Sequence, residues 1–284
     1  MRQARFTSSR LGRGQGGFTL LELLLSSMIG LFALGATFVA FQGTVQLNRA
    51  STAQAQMSED AALAFSQLRT FIAQADYSAP ITGSVSGGFT RVWNQRAIFG
   101  CDNGFGSLNT SPDTQACSTA TSGPDTIAVA FQADASNSLV NASGVPLDCL
   151  GNPTVQVGTG TAAYYVSFNR FFIASRQLYC RGYDSSSPQA LVDNVEDMVI
   201  SYGVSTAKDG NVNYYTNASS ITDWKTVVTV RVCLVMRSAD AVLSEATPYQ
   251  GCDPFASPTT PSDRNLYRAY TMTVGLRNRM GVET

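Results

Sequence analysis

Between Phe18 and Leu47 the chain reads FTLLELLLSSMIGLFALGATFVAFQGTVQL, and Glu22 is the only charge in that run. A helix rises about 1.5 Å per residue, so about 20 apolar residues cross a hydrocarbon core of roughly 30 Å. The run is long enough to span. In lipid every backbone amide must be satisfied within the segment, which restricts a single span to a helix. Arg2, Arg5, Arg10 and Arg13 stand before it with no acid among them. Such a basic flank stays cytoplasmic, so the C-terminal part faces outward. A secretory signal peptide fits less well. Its apolar region is about 7–15 residues and ends at a small-residue cleavage site, whereas this run is longer and no clean site follows. A plain anchor accounts for length and orientation but not for Glu22. An acid near the lipid interior costs about 2.5–3.5 kcal/mol on insertion scales, which marks it as functional with its partner still to be found.

The pattern then changes without a break. Residues 46–76 contain no glycine or proline. Ala53, Met57, Ala61, Ala64, Leu68, Phe71 or Ile72, and Ala75 recur at three- and four-residue steps, with polar residues between them. This spacing predicts an amphipathic helix continuing the span and stopping near Tyr77–Pro80. The expected division is a leader over 1–17, a helix over 18–79 (an apolar part 18–47 and an amphipathic part 48–79) and a β-rich head over 80–284. One helix of about 60 residues would be about 90 Å long. Gly30, Gly35 and Gly43 would either bend the first half or permit close packing, and the sequence favours neither.

The chain has no histidine, which removes histidine-dependent nucleophilic catalysis and histidine-ligated metals. Formal net charge is −1, and loss of the first seventeen residues with their four arginines takes it to −5. That balance gives no global attraction to nucleic acid. Six cysteines, Cys101, Cys117, Cys149, Cys180, Cys233 and Cys252, all lie beyond the helix, without CxxC spacing. An even, well-separated set fits disulfides in an oxidising compartment better than zinc. Of about 15 possible pairings, the sequential one (Cys101–Cys117, Cys149–Cys180, Cys233–Cys252) is expected, because each bridge staples one loop. Buried free thiols are the alternative.

From residue 81 onward short β-like runs alternate with loops rich in glycine, serine, asparagine and proline. Strands are expected at Ala97–Phe99, Thr126–Gln132, Thr161–Asn169, Phe171–Ala174, Gln177–Arg181, Asp197–Val204, Val227–Arg237 and Tyr267–Leu276. Val228, Val230, Val232, Leu234 and Met236 share one face of the seventh, and Tyr270, Met272, Val274 and Leu276 one face of the last. An antiparallel sheet with one face on the helix follows, an α+β architecture. Residues 103–124 and 238–265 read as long loops, and Ile221–Trp224 as a turn or short helix. No GxSxG, phosphate loop or dinucleotide fingerprint is present. Asp193, Glu196 and Asp197 read as solvated surface. KDGNVNYY (208–215) has the alternate acceptors Asp209, Asn211 and Asn213 of a calcium loop, but it lacks a downstream bidentate glutamate, and a hairpin turn is the expected reading with calcium as the alternative. Tyr214, Tyr215 and Trp224 read as packing under a loop. No catalytic residue, metal or cofactor is expected.

Gly17-Phe18-Thr19-Leu20-Leu21-Glu22 after a short basic leader resembles the processing site of type IV pilin-like proteins. The resemblance implies cleavage by a prepilin peptidase between Gly17 and Phe18 and N-methylation of Phe18. Glu22 then becomes the fifth residue of the mature chain, meeting the cationic N-terminus of a neighbouring subunit and setting register. Further on, AIFGCDNG (97–104), GPDTIAVAFQAD (123–134), LVDNVEDMVISYGV (191–204), WKTVVTVRVCLVMRS (224–238) and YRAYTMTVGLRNRM (267–280) are similar, in order, to segments of the PilW family of minor pilins. This implies a structural, non-catalytic minor pilin that helps start pilus assembly near the tip, with the prepilin peptidase, other minor and major pilins and the inner-membrane assembly machinery as partners. It would be held in the inner membrane by one span, with its C-terminus in the periplasm, until built into the surface fibre. Rival readings are a minor pseudopilin of a type II secretion system and a tip adhesin or DNA-uptake pilin; the acidic head disfavours DNA. The cysteines and loops depart from the family pattern, so the resemblance implies nothing about them.

Overall fold

The computed structural model describes residues 17–79, 92–160, 163–183, 187–207 and 209–279. Four sequence expectations lie outside the described residues: most of the leader, the helix stop at Pro80, the strand start at Thr161, and Lys208 of the candidate turn.

A single helix, α1, spans Leu20–Ile72. Contacts divide the chain into two units between Arg49 and Ala50. In the first unit almost every described side chain is exposed. In the second, α1 buries Ala53, Met57, Ala61, Ala64, Leu68 and Ile72, the stripe that the sequence spacing predicts. Ile72 takes the fully buried place, while the Phe71 ring is half-buried, 5.6 Å from that of Phe171 and 6.5 Å from that of Phe131.

The helix stops earlier than expected, and the reason is tertiary. Gln74 and Ala75 tighten the last turn by donating to Phe71 and Ile72. Asp76 then adopts a left-handed conformation at φ 66°. Its N–H donates to the Ala130 carbonyl, and the Gln132 N–H donates to the Tyr77 carbonyl. The chain thus leaves the helix to join a strand. Asn278 Nδ2 donates to the carbonyls of Gln74 and Ala75, and Arg279 Nε lies 3.0 Å from Asp76 Oδ2. These contacts occupy carbonyls that a helix end would leave bare.

The head holds two antiparallel sheets rather than the single sheet expected. The strands are β1 Ile98–Cys101, β2 Thr126–Ala133, β3 Val155–Val157, β4 Tyr164–Ala174, β5 Gln177–Arg181, β6 Gln189–Asp193, β7 Val195–Val204, β8 Tyr214–Thr216, β9 Val227–Ala241 and β10 Asn265–Gly275. One sheet is ordered β1-β2-β4-β5-β6 with β3 also on β4; the other is β10-β9-β7-β8. One residue, Asn194 at φ 62°, separates β6 in the first sheet from β7 in the second. Asparagine tolerates the left-handed region that this switch requires. Arg170 does not interrupt β4, which runs through both segments read as separate strands. Its hairpin to β5 closes on Ser175 and Arg176, both at positive φ, the pairing of a two-residue type I′ turn.

Val230, Val232, Leu234 and Met236 of β9 face the helix, with Met272 and Val274 of β10 beside them. Val227 joins that core although simple alternation places it on the other face; the register shifts beside it, between Gly203 and Val204. The first sheet is covered on both faces. Ile127, Val129 and Phe131 face the helix, while Ala128 and Ala130 pack with Trp93, Ala97 and Phe168 on the reverse. Every residue of β2 is therefore buried. The cysteines pair as Cys101–Cys117, Cys149–Cys180 and Cys233–Cys252, closing separations of 16, 31 and 19 residues. In the chain-entropy account a loop of about 15 residues contributes about 3 kcal/mol.

Candidate functional site

The start of α1 is built by Thr19. Its carbonyl accepts from the N–H groups of Glu22 (3.0 Å) and Leu23 (3.2 Å), and its hydroxyl also accepts from Glu22 N–H, at 3.3 Å. T-x-x-E thus acts locally as half of a capping box, placing Glu22 at the third helical position. Other polar side chains in the apolar run satisfy themselves along the helix. The hydroxyls of Ser26, Ser27, Thr37 and Thr44 donate to the carbonyls of Glu22, Leu24, Leu34 and Ala40. The Glu22 carboxylate makes no hydrogen bond or ion pair among the described residues. Gly17 and Phe18 lie just before the helix, and Phe18 is exposed.

Around Glu22 the surface is apolar. Fifteen large hydrophobic side chains from Phe18 to Leu47 stand exposed, among them Leu24, Ile29, Phe32, Phe38 and Phe41. Covering one such side chain is worth about 1.5–3 kcal/mol. The segment therefore calls for lipid or neighbouring helices. Nothing lies within 4 Å of where a Cβ would stand on Gly30, Gly35 or Gly43.

The loops of the head are held by guanidinium groups as well as by disulfides. Arg170 is wholly buried. Its Nε donates to Gln115 Oε1 at 2.9 Å, one terminal nitrogen to the Gly182 carbonyl at 2.7 Å, and the other to the Thr110 carbonyl. Arg96 donates to the carbonyls of Pro112 and Gln115, and Arg181 to Asn109 Oδ1. Residues 109–115 are thus fixed by three cations that bond mostly to backbone. Burial brings the Arg170 pKa down to about 10, so it stays charged at neutral pH.

Asp125 sits where the two sheets meet. Its N–H donates to the Met198 carbonyl (2.8 Å), and its Oδ2 accepts from Ile200 N–H (2.6 Å). Burial is the main reason its pKa is raised to about 7, with the negative charges of Asp102 and Asp197 adding to the effect. Asp102 accepts from the N–H groups of Ala218 and Ser219. The Tyr202 hydroxyl is fully buried without a partner among the described residues. A carboxyl with a raised folded pKa stabilises the fold fully below its unfolded value of about 4 and loses that contribution as pH rises through its folded pKa. Burial raises Asp60 and Asp197 too, in the same sense. Asp209 and Asp263 are lowered by their hydrogen bonds and oppose this only in acid. The melting temperature should therefore fall by roughly 2–4 °C between pH 5 and pH 8, the shift that a change of about 1 kcal/mol gives a domain of this size. Asp125→Asn should flatten that slope, as read by thermal melts followed by circular dichroism.

The acids singled out in the sequence have structural partners. Glu196 pairs with Arg176 at 3.1 Å, Asp197 Oδ1 accepts from Met198 N–H, and Asp193 accepts from Gln177. In the 209–213 turn Asp209 accepts from Asn211 and Ser205, and Asn213 Oδ1 from Thr206. These acceptors are occupied by the turn's own donors. Trp224 packs edge-on against Tyr202, with ring centroids 5.0 Å apart.

An exposed apolar N-terminal helix and a disulfide-stapled antiparallel head make an α+β architecture. Residues 163–278, from the start of β4 past the end of β10, are similar to the sequence model of the family described as Type IV Pilus-assembly protein W. No curated protein matches the sequence. Among solved structures, a type IV-like pilin from Thermus thermophilus is similar, with a TM-score of 0.43 and 11% identity; the alignment covers 78% of this chain and 97% of that one. The match, over part of the head, links the chain to the type IV pilus system.

Proposed function

We propose that the chain is a minor pilin that enters the type IV pilus and helps initiate its assembly near the tip. The observation that carries this reading is the pairing of an unmatched carboxylate, Glu22, with an uncovered apolar helix on a PilW-like head. The precursor is held in the inner membrane by α1 with the head in the periplasm. A prepilin peptidase cuts between Gly17 and Phe18, and Phe18 is N-methylated. In the fibre the apolar faces of neighbouring helices replace lipid, and Glu22 meets the new N-terminus of an adjacent subunit. A charge pair is tolerated in a low-dielectric bundle where a lone carboxylate is not. Register follows, because any other stagger leaves both charges unmatched. The oxidised head presents its stapled loops to neighbouring heads.

Processing is tested with Gly17→Ala. Intact-mass measurement should find only the uncleaved precursor in membranes and no methylated chain beginning at Phe18. A mature Phe18 start in that variant would sink the assigned cleavage site. Loss of surface pili on deleting the gene, with restoration by the cleavable chain alone, tests the role in initiation.

A further inference from the structure

Two unmatched features lie on opposite faces of the β10-β9-β7-β8 sheet. The first is Phe255, 96% exposed at the tip of the loop between β9 and β10. The loop is firmly fixed. Cys252 is bonded to Cys233, on the face of β9 away from the helix. Tyr249 and Thr259 exchange backbone hydrogen bonds at 3.0 Å, and the Tyr249 ring stacks on Tyr267 at 4.7 Å. Gln250 Nε2 donates to the carbonyls of Asp253 and Ala256, and Asp253 Oδ1 accepts from Phe255 N–H. A large aromatic side chain held out on a fixed loop loses little freedom on docking, the character of an interface anchor.

The second feature is a groove of about 560 Å³ on the helix face, between α1 and the edge strand β10. Phe65, Ala73, Met272 and Val274 supply its apolar lining, and Arg69 and Arg277 its charge. Both arginines are exposed, and neither has an ion-pair partner among the described residues. The Phe255 loop has the opposite sign. Asp240, Glu245 and Asp253 lie in or beside it against Arg264, so it is acidic on balance, and Asp263 is already matched by Arg237 at 2.8 Å. Because anchor and groove lie on opposite faces of one sheet, a head cannot fill its own groove.

We propose that the groove receives the Phe255 loop of a second copy of this chain, with the Phe255 ring on the apolar lining and Asp253 against Arg69 and Arg277. Such a contact joins two different surfaces, so it can propagate from head to head in a row instead of closing as a two-fold dimer. The charges set orientation, and the ring supplies most of the affinity. The contact goes beyond the pilus reading and does not depend on where in a fibre the chain lies.

The test uses the full chain in its own membrane, in cells carrying two differently tagged copies, with Phe255→p-benzoylphenylalanine in one. Illumination should give a cross-link between the two copies, and peptide mapping should place it within residues 62–74 or 272–277. Arg69→Glu with Arg277→Glu should reduce that cross-link by about tenfold or more, as expected for loss of a central contact, and Asp253→Arg added to the pair should restore it. Since all four positions are exposed, none of these changes removes core packing, and full disulfide formation checks folding. Cross-linking elsewhere in the second copy, to a different protein alone, or to nothing overturns the proposal.

Discussion

Replacing Glu22 with alanine is expected to cut the share of the chain found in sheared filaments by roughly ten- to a hundredfold, while cleavage and membrane insertion continue. Two energies decide this. At the third helical position the carboxylate gains about 0.3–1 kcal/mol from the helix dipole. Holding it in hydrocarbon costs about 2.5–3.5 kcal/mol. The local cap does not offset the cost of burying the carboxylate inside a helix bundle, so in the proposed fibre an external cation must meet it. Losing a few kcal/mol from that pairing corresponds to the stated factor, since each 1.4 kcal/mol is about tenfold. Glu22→Gln, which keeps the shape and loses the charge, should behave like alanine. The readout is the ratio of filament to membrane protein on immunoblots, with intact mass confirming cleavage. Wild-type incorporation of the alanine variant would remove the register role.

The second large effect is expected inside the head. Arg170→Met should lower stability by about 3–5 kcal/mol, near the top of the range for one substitution. Methionine fills much of the space but leaves the buried Thr110 and Gly182 carbonyls without the guanidinium donor, while Gln115 Oε1 keeps only the Thr110 hydroxyl. A buried acceptor so orphaned costs up to about 1–3 kcal/mol. Arg170→Lys should recover only part of the loss, because one ammonium cannot span three acceptors set by a planar fork. Thermal melts of the oxidised protein should show a drop of about 10 °C, given 2–4 °C per kcal/mol at this size. Hydrogen exchange should quicken first over residues 107–116. An unchanged melting temperature would mean that the disulfide Cys101–Cys117 holds this loop without Arg170.

These two residues also show how unevenly the sequence reads. Glu22 was conspicuous because a charge inside an apolar run has no local excuse. Arg170 is the opposite case: it falls between the expected strands Thr161–Asn169 and Phe171–Ala174, yet β4 runs through it as one strand. What accommodates the charge within β4 is a set of acceptors on other segments, Thr110 and Gln115 55–60 positions earlier and Gly182 12 later, which no local pattern reveals. The three short strands β3, β6 and β8 were not expected either. Each is 3–5 residues long, too short for an alternating pattern to stand out from its loop. A phenylalanine between proline and alanine in a polar loop carries no period, so only its exposure distinguishes Phe255.

The sequence by itself determined the helix, its apolar first half, the buried stripe from Ala53 to Ile72 and the alternating faces of β9 and β10. All of these rest on periods of 3.6 or 2, which geometry imposes on neighbouring residues. Tertiary structure decided where the helix stops, why the head has two sheets instead of one, and which side chains fix the loops. Asp76 leaves the helix because β2 offers a backbone partner. Asn194 turns one sheet into the next because a single left-handed residue is enough. Arg170 survives burial because distant carbonyls converge on it. Each depends on groups far apart in the chain, whose meeting only the folded molecule defines.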